Sequence, residues 1–351
     1  MNIFFASDNK FVQHLCVSIA SILYNAASTD EFIFYILDSN ISEKNKQKIM
    51  KLKSIKNFEI EFIKVSDEMF KDCPITKDCS HITKQTYYRY IIPIIKPELD
   101  KCLYLDCDIV VEDSLSSLWQ KDIEDYYVAA VEELHYETSI DAKRLNLDTM
   151  FNAGILLINL KKWKEQNITN QLFKNTAELS KLNKLRWQDQ DVLNYTFKNQ
   201  VLFVEPKYNL QCNAYYDGWL NKYTQEELES AKIAPVIIHY NSCYKPWSNQ
   251  CKHPLWKRYY NYLKITPFKL DYYKWKIGYY KIKYNMLKTI FSISNGNMHK
   301  IIKFFGITFK FKSEKLKQRK INEELKTEID ILKQDLINIK NKLSDKEGIN
   351  V

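Results

Sequence analysis

The order of apolar segments predicts an α/β fold built on an open, mainly parallel, doubly wound central sheet. Three observations support this. Short apolar runs of strand length alternate with longer stretches of helical period through the first 65 residues. Most of these runs are nearly continuous rather than alternating, as expected of parallel strands covered on both faces. The chain has 351 residues, 45% of them hydrophobic, enough for one large domain or two smaller ones.

Taken in order, "NIFFASD" (2–8) is an apolar run ending in a polar turn and predicts a buried parallel strand. "FVQHLCVSIASILYNA" (11–26) has helical spacing. "FIFYILD" (32–38) predicts a second strand, and "SEKNKQKIMKLKS" (42–54) a polar helix with Ser42 as N-cap. "FEIEFIKV" (58–65) alternates like a third strand, completing β-α-β-α-β. A helix is predicted over 83–96. "LYLDCDIVV" (103–111) reads as a fourth strand and "YVAAVEE" (127–133) as a fifth. "FNAGILLINLKKW" (151–163) reads as a strand running into a helix, "RWQDQDVLNYTF" (186–197) as a helix, and "PVIIHYN" (235–241) as a late strand.

The N-terminus lacks the basic region of a secretion signal, and no window of about 18 apolar residues is present. Eight cysteines without a C-x-x-C pair fit reduced thiols in a cytosolic protein. Charge is unevenly placed. Residues 264–320 hold 15 Lys+Arg against 2 Asp+Glu, more than the whole formal charge of +9. This predicts three parts: a domain at 1–263, a basic aromatic segment at 264–312 and a helical tail at 313–351. In the segment, lysines alternate with aromatic and aliphatic residues, which suits an anionic lipid surface. A basic helical hairpin packed on the body is the competing reading. No RNA motif accompanies the charge, so nucleic acid is not an expected partner. In the tail, Leu325, Ile329, Leu332, Leu336, Ile339 and Leu343 follow 4-3 spacing. They form a short coiled-coil seam suited to a homodimer or to an exposed helix.

Several residues point to chemistry. Asp106 and Asp108 lie two apart, hence on one side of a strand, near its carboxyl end where open α/β sheets bind ligands. Paired hard oxygens suit Mg²⁺ or Mn²⁺; solvated strand-end acids are the plain alternative. Cys107 between them should face the other side of the sheet, and it is no metal ligand. His239 ends another apolar run, and its imidazole would shift the preference toward Mn²⁺. Lys245 follows in "KPW", a cation suited to a phosphate. Gln188, Asp189, Gln190 and Asp191 either cap a helix or grip a polyhydroxylated ligand. Asn152 is a turn-former or a sugar ligand.

"FASDNKF", "TYYRY", "LYLDCDIVV", "FNAGILLINLKKW", "WQDQDVLN" and "HYNSCYKPW" occur in the order and spacing of glycosyltransferase family 8, which residues 1–260 resemble. Among its members they look most like the bacterial lipopolysaccharide and lipooligosaccharide α-galactosyl- and α-glucosyltransferases, with glycogenin a more distant cousin. The basic C-terminus is similar in kind to the membrane-attachment segment of those enzymes. The resemblance implies a GT-A fold and a UDP-sugar donor used with Mn²⁺, Mg²⁺ being a possible substitute. It implies Asp106, Asp108 and His239 as metal ligands. Ala6, Asp8 and Asn9 would bind uridine, with Phe11 stacking on uracil. Arg89 would contact the donor, and Cys107 and Ser242 belong to donor-binding stretches. Lys245 would bind diphosphate, and Asn152, Ala153, Asp189 and Gln190 the donor sugar. Gln190 would sit beneath the sugar, where an amide is a poor nucleophile; this favours front-face transfer with retention, with Asp191 as the reserve nucleophile of a two-step route. The implied function is transfer of galactose or glucose to a lipid-linked oligosaccharide at the inner face of the cytoplasmic membrane. A protein acceptor, or a non-catalytic scaffold, are the alternatives. The chain departs from the family at Ser242, where glycine is usual; its side chain either crowds the diphosphate or adds a donor. Phe11 replaces a common tyrosine, and Glu132 or Glu133 stands where an aspartate facing the sugar is common.

Overall fold

The computed structural model describes residues 1–76, 83–134, 138–198, 200–215, 223–248, 251–290, 292–295, 300–304, 307–311 and 315–347. Its chain divides into two compact units, Met1–Tyr262 and Leu263–Val351.

In the first unit the strands are β1 (Asn2–Asp8), β2 (Ile33–Ser39), β3 (Glu59–Lys64), β4 (Lys101–Leu105), β5 (Ile109–Val111), β6 (Val128–Ala130), β7 (Ile155–Asn159), β8 (Val201–Phe203), β9 (Leu210–Gln211) and β10 (Ile237–His239). Seven form one sheet in the order β3-β2-β1-β4-β7-β6-β8. All its neighbours pair in parallel except those of β7, which runs antiparallel to β4 and β6. This is the mainly parallel sheet expected of a GT-A fold. Phe4 and Phe5 of β1 are buried on opposite faces of the pleat, because helices cover both sides. The helix Val12–Tyr24 buries eleven of its thirteen residues. Ser42 caps the helix Glu43–Met50 by accepting the Asn45 N–H.

Two stretches differ from the sequence reading. Residues 83–96 are mostly 3₁₀, Lys84–Ile91, followed by a single α-turn, Ile92–Ile95. Pro93 has no N–H to give the Arg89 carbonyl and stands in the first turn of the α-turn, where a proline is tolerated, so the stretch does not run as one unbroken α-helix. "LYLDCDIVV" is not one strand either. β4 ends at Leu105 and belongs to the large sheet; β5 begins at Ile109 and joins a small sheet of order β5-β10-β9. Asp106-Cys107-Asp108 is the crossing between the sheets. It is pinned by the Asp106 N–H on the Gly154 carbonyl (2.8 Å) and the Tyr240 N–H on the Asp108 carbonyl (3.0 Å). The aspartates therefore owe their shared direction to a junction, not to the pleat of a strand.

The second unit contains the helix Lys269–Ile290, an antiparallel sheet of β11 (Ser292–Asn295), β12 (Lys300–Phe304) and β13 (Ile307–Phe311), and the helix Lys315–Glu347. The sheet replaces the helical hairpin of the competing reading of this segment; its "KIIKF" and "ITFKF" are rich in the branched and aromatic residues that suit a pleated surface. The two helices pack together, with the Tyr280 hydroxyl hydrogen-bonded to Glu328. Leu325, Ile329 and Leu332 of the tail seam are buried within the single chain, so half of the seam is already covered without a second copy. Among the described residues, no helix is long and apolar enough to cross a membrane.

Candidate active site

β1 and β4 are parallel neighbours, and both deliver their carboxyl ends to one side of the sheet. A cavity of about 510 Å³ opens there, walled by the ends of those strands, the 106–108 crossing, Asn152–Gly154, the start of the helix Asp189–Phe197 and the loop after β10.

Asp106, Asp108 and His239 present one ligand atom each, all within 4.8 Å of one another. His239 Nε2 lies 3.4 Å from Asp108 Oδ1 and 3.9 Å from Asp106 Oδ2. Atoms held at about 2.1 Å on opposite sides of one cation would be about 4.2 Å apart, and both His239 distances fall within that reach, so the three side chains could close on a single divalent ion. Two carboxylates and an imidazole are a donor set that suits a divalent cation. Gly154 keeps the cluster open: a Cβ there would stand 2.3 Å from His239 Cε1 and 2.8 Å from Asp106 Oδ2.

The surrounding charges are compensated. Buried Arg89 sits with Nη2 3.2 Å from Asp106 Oδ1 and Nε 3.2 Å from Asp189 Oδ2; its guanidinium lies 4.0 Å above the Tyr104 ring and also donates to the Ala153 carbonyl. A buried guanidinium needs such partners. Lys245 Nζ pairs with Asp108 and donates to the Tyr240 carbonyl at 2.7 Å. Burial pushes the Asp106 carboxyl up to about 6, against the pull of Arg89. Burial works the same way on Asp108, but Lys245 and His239 overcome it and hold that carboxyl well below the usual range. Asp189 is raised by burial, with Arg89 opposing.

Most of the candidate residues meet here. Ala6, Asp8, Phe11, Arg89, Asp106, Cys107, Asp108, Asn152, Ala153, Asp189, Gln190, His239, Ser242 and Lys245 all line the cavity. Of the two candidate glutamates, Glu133 faces it, while Glu132 is buried and accepts from Thr149. Ser242 does not need glycine's freedom, because its φ is not positive, and its Oγ accepts the Tyr244 N–H at 3.1 Å to close the loop.

Three residues are placed otherwise than the sequence suggested. Cys107 does not face the far side of a sheet: the crossing is not pleated, and its Sγ lies 3.3 Å from the Ala6 carbonyl, between the ends of β1 and β4. Asn9 does not line the cavity. Its Oδ1 accepts from Ser42 N (3.0 Å) and Asn45 Nδ2 (2.9 Å), tying the turn after β1 to the next helix. Asp191 is fully buried away from the cavity. It pairs with Arg144 at 2.9 Å and accepts the Arg186 and Trp187 N–H groups, so its carboxylate holds the loop before its helix rather than facing a sugar.

Sequence reasoning also missed residues. Gly154 was legible as the glycine following Asn152-Ala153, but its reason lies in His239, far along the chain. His14 stacks on Trp247 (3.5 Å between ring centroids), and both stand edge-on to Phe11, making an aromatic wall at the β1 end of the cavity. Burial lowers His14 to about 3, so it is a neutral part of that wall. Nothing local marks Asn209, which contacts His239.

Residues 2–251 match the model of "Glycosyl transferase family 8". The chain is 32% identical to general stress protein A of Bacillus subtilis over 76% of its own length and 94% of that protein's. It is 28% identical to a lipopolysaccharide 1,2-glucosyltransferase of Escherichia coli, over 78% of this chain and 80% of the relative. The crystal structure of the galactosyltransferase LgtC with donor and acceptor sugar analogs superposes with a TM-score of 0.68 at 30% identity, covering 76% of this chain and 96% of that one.

Proposed function

This chain belongs to glycosyl transferase family 8, and from that premise we propose that it transfers a hexose, galactose or glucose, from a UDP-sugar to a lipopolysaccharide- or lipooligosaccharide-type acceptor, retaining the anomeric configuration. The observation that carries this is the convergence of Asp106, Asp108, His239 and Lys245 on one cavity at the carboxyl ends of β1 and β4. The names of the relatives support the donor and acceptor classes.

In this reading Asp106, Asp108 and His239 hold a divalent ion, Mn²⁺ before Mg²⁺. When bound, the ion supplies Lewis-acid neutralisation of charge on the departing diphosphate. The chain's own residues do the rest. Ala6, Asp8 and the Phe11 wall take the uridine end. Lys245, beside Asp108 on the cavity wall, would meet the diphosphate, where its charge would help the C1–oxygen bond ionise. Asn152, Glu133, Asp189 and Gln190 position the hexose. The Gln190 amide is committed at both ends, with Oε1 accepting the Ala153 N–H (2.9 Å) and Nε2 donating to Glu133 (3.0 Å). An amide so held makes a poor nucleophile, and with Asp191 occupied elsewhere the acceptor hydroxyl attacks C1 on the face the diphosphate leaves, its proton passing to the departing diphosphate oxygen as the C1–oxygen bond breaks. The basic, aromatic segment 264–312 would rest on the inner membrane face, bringing the cavity to a lipid-linked acceptor.

The test is a panel of UDP-sugars offered to the full chain with Mn²⁺ and no acceptor, following UDP release. One UDP-hexose should be hydrolysed well above the rest, and adding a lipooligosaccharide core should speed its consumption and place the label on saccharide. No UDP release from any donor contradicts the proposal; label on polypeptide corrects the acceptor.

A further inference from the structure

We propose that Asn209 is a positioning residue that fixes the tautomer of His239 and so presents its Nε2 lone pair to the metal site. The inference deepens the metal reading and rests on it for its consequence, though not for its geometry.

The orientation of each amide can be assigned step by step along one buried chain of hydrogen bonds. Asn152 stands between two groups of fixed character. The Gly154 backbone N–H, which can only donate, lies 3.0 Å from Asn152 Oδ1. Glu133 Oε2, an acceptor when ionised, lies 2.7 Å from Asn152 Nδ2. Both ends agree, so the Asn152 amide has one orientation. Its Oδ1 then accepts from Asn209 Nδ2 at 2.9 Å, which turns Asn209 Oδ1 toward His239 Nδ1, also at 2.9 Å. An amide oxygen only accepts, so the imidazole proton sits on Nδ1. Asn209 is fully buried and His239 nearly so, so bulk solvent does not reach the hydrogen bond between them.

The consequence follows from the alternative. Without a metal, His239 Nε2 lies 3.4 Å from Asp108 Oδ1, and that carboxylate favours the opposite tautomer, with a proton on Nε2. Such a proton would have to leave before a cation could bind. Asn209 removes this competition by engaging Nδ1–H, as outer partners of metal-bound histidines commonly do. The same amide chain starts at Glu133 and Asn152, both on the cavity wall, so the residues that would face the hexose also orient a metal ligand.

The test begins with the metal-free full chain. Long-range ¹H–¹⁵N spectra of ¹⁵N-histidine-labelled protein at about pH 8, above the ordinary imidazole range, report which ring nitrogen carries the proton; loss of one pattern in His239→Gln assigns it. The expected wild-type pattern is Nδ1 protonated and Nε2 bare. Asn209→Leu should lose that pattern and bind Mn²⁺ about tenfold or more weakly. Asn209→Asp, which keeps an acceptor facing Nδ1, should retain the pattern and recover most of the affinity. A purely structural role would make buried Asp at least as damaging as Leu. A wild-type spectrum with Nε2 protonated overturns the proposal, as does a folded Leu variant with unchanged tautomer and affinity. Failure of the wild-type chain to bind Mn²⁺ would count against the metal reading, while the spectrum would still decide the tautomer.

Discussion

Asp108→Asn should lower transfer from the UDP-sugar by about a thousandfold or more, the scale expected when a site loses a principal charge-stabilising element. Asp108 is the carboxylate that both His239 and Lys245 approach, at 3.4 Å for the imidazole and by direct pairing for the ammonium. The amide retains shape and an acceptor but surrenders the charge, so the cluster falls from two anionic ligands to one. Folding should survive: Lys245 keeps its bond to the Tyr240 carbonyl, and the Asp108 backbone carbonyl that receives the Tyr240 N–H is unchanged. Steady-state transfer with saturating Mn²⁺, alongside thermal melts of both proteins, checks this. Near-normal turnover in the variant would remove the metal assignment.

Gly154→Ala should be almost as damaging to the site and mild for the fold. The backbone at Gly154 lies outside the left-handed region, so alanine brings no conformational strain. What it brings is one methyl group into space already filled by His239 Cε1 at 2.3 Å, Asp106 Oδ2 at 2.8 Å and His239 Nε2 at 2.9 Å. Real carbon contacts do not close to such distances, and the imidazole cannot retreat easily. It is buried, ends β10 and is hydrogen-bonded through Nδ1 to Asn209. The ligands must part, so Mn²⁺ affinity should fall about tenfold to a hundredfold, a scale seen when ligand positioning is disturbed. Overpacking at one buried position should cost about 1–3 kcal/mol of stability. A Mn²⁺ titration of folded variant with wild-type affinity would show that the crowding is relieved by some easier movement.

The first three strands were legible because each is a local pattern: an apolar run bounded by polar turn residues, with a helix-period segment between. The break within 103–111 was not. Leu103 through Val111 reads as strand by composition, and what interrupts it is long-range, the Gly154 carbonyl on one side of the crossing and the Tyr240 N–H on the other. The strands β12 and β13 left a local signal, alternating lysine with branched and aromatic residues, but helix and strand compete for such a pattern. In the site, Asp189 and Gln190 reach the cavity and Asp191 does not. On a helix each residue turns about 100°, so three polar neighbours cannot share a face. Asn209 gave no signal at all; its meaning comes from partners 57 residues before it and 30 after it.

Calorimetric titration of UDP into the full chain, with and without Mn²⁺, tests the central claim most directly. The account predicts binding that needs the ion: strong heat with Mn²⁺, little without it, and no ion-dependent gain in Asp108→Asn. UDP binding of equal strength in the presence and absence of Mn²⁺, unchanged by Asp108→Asn, would contradict it.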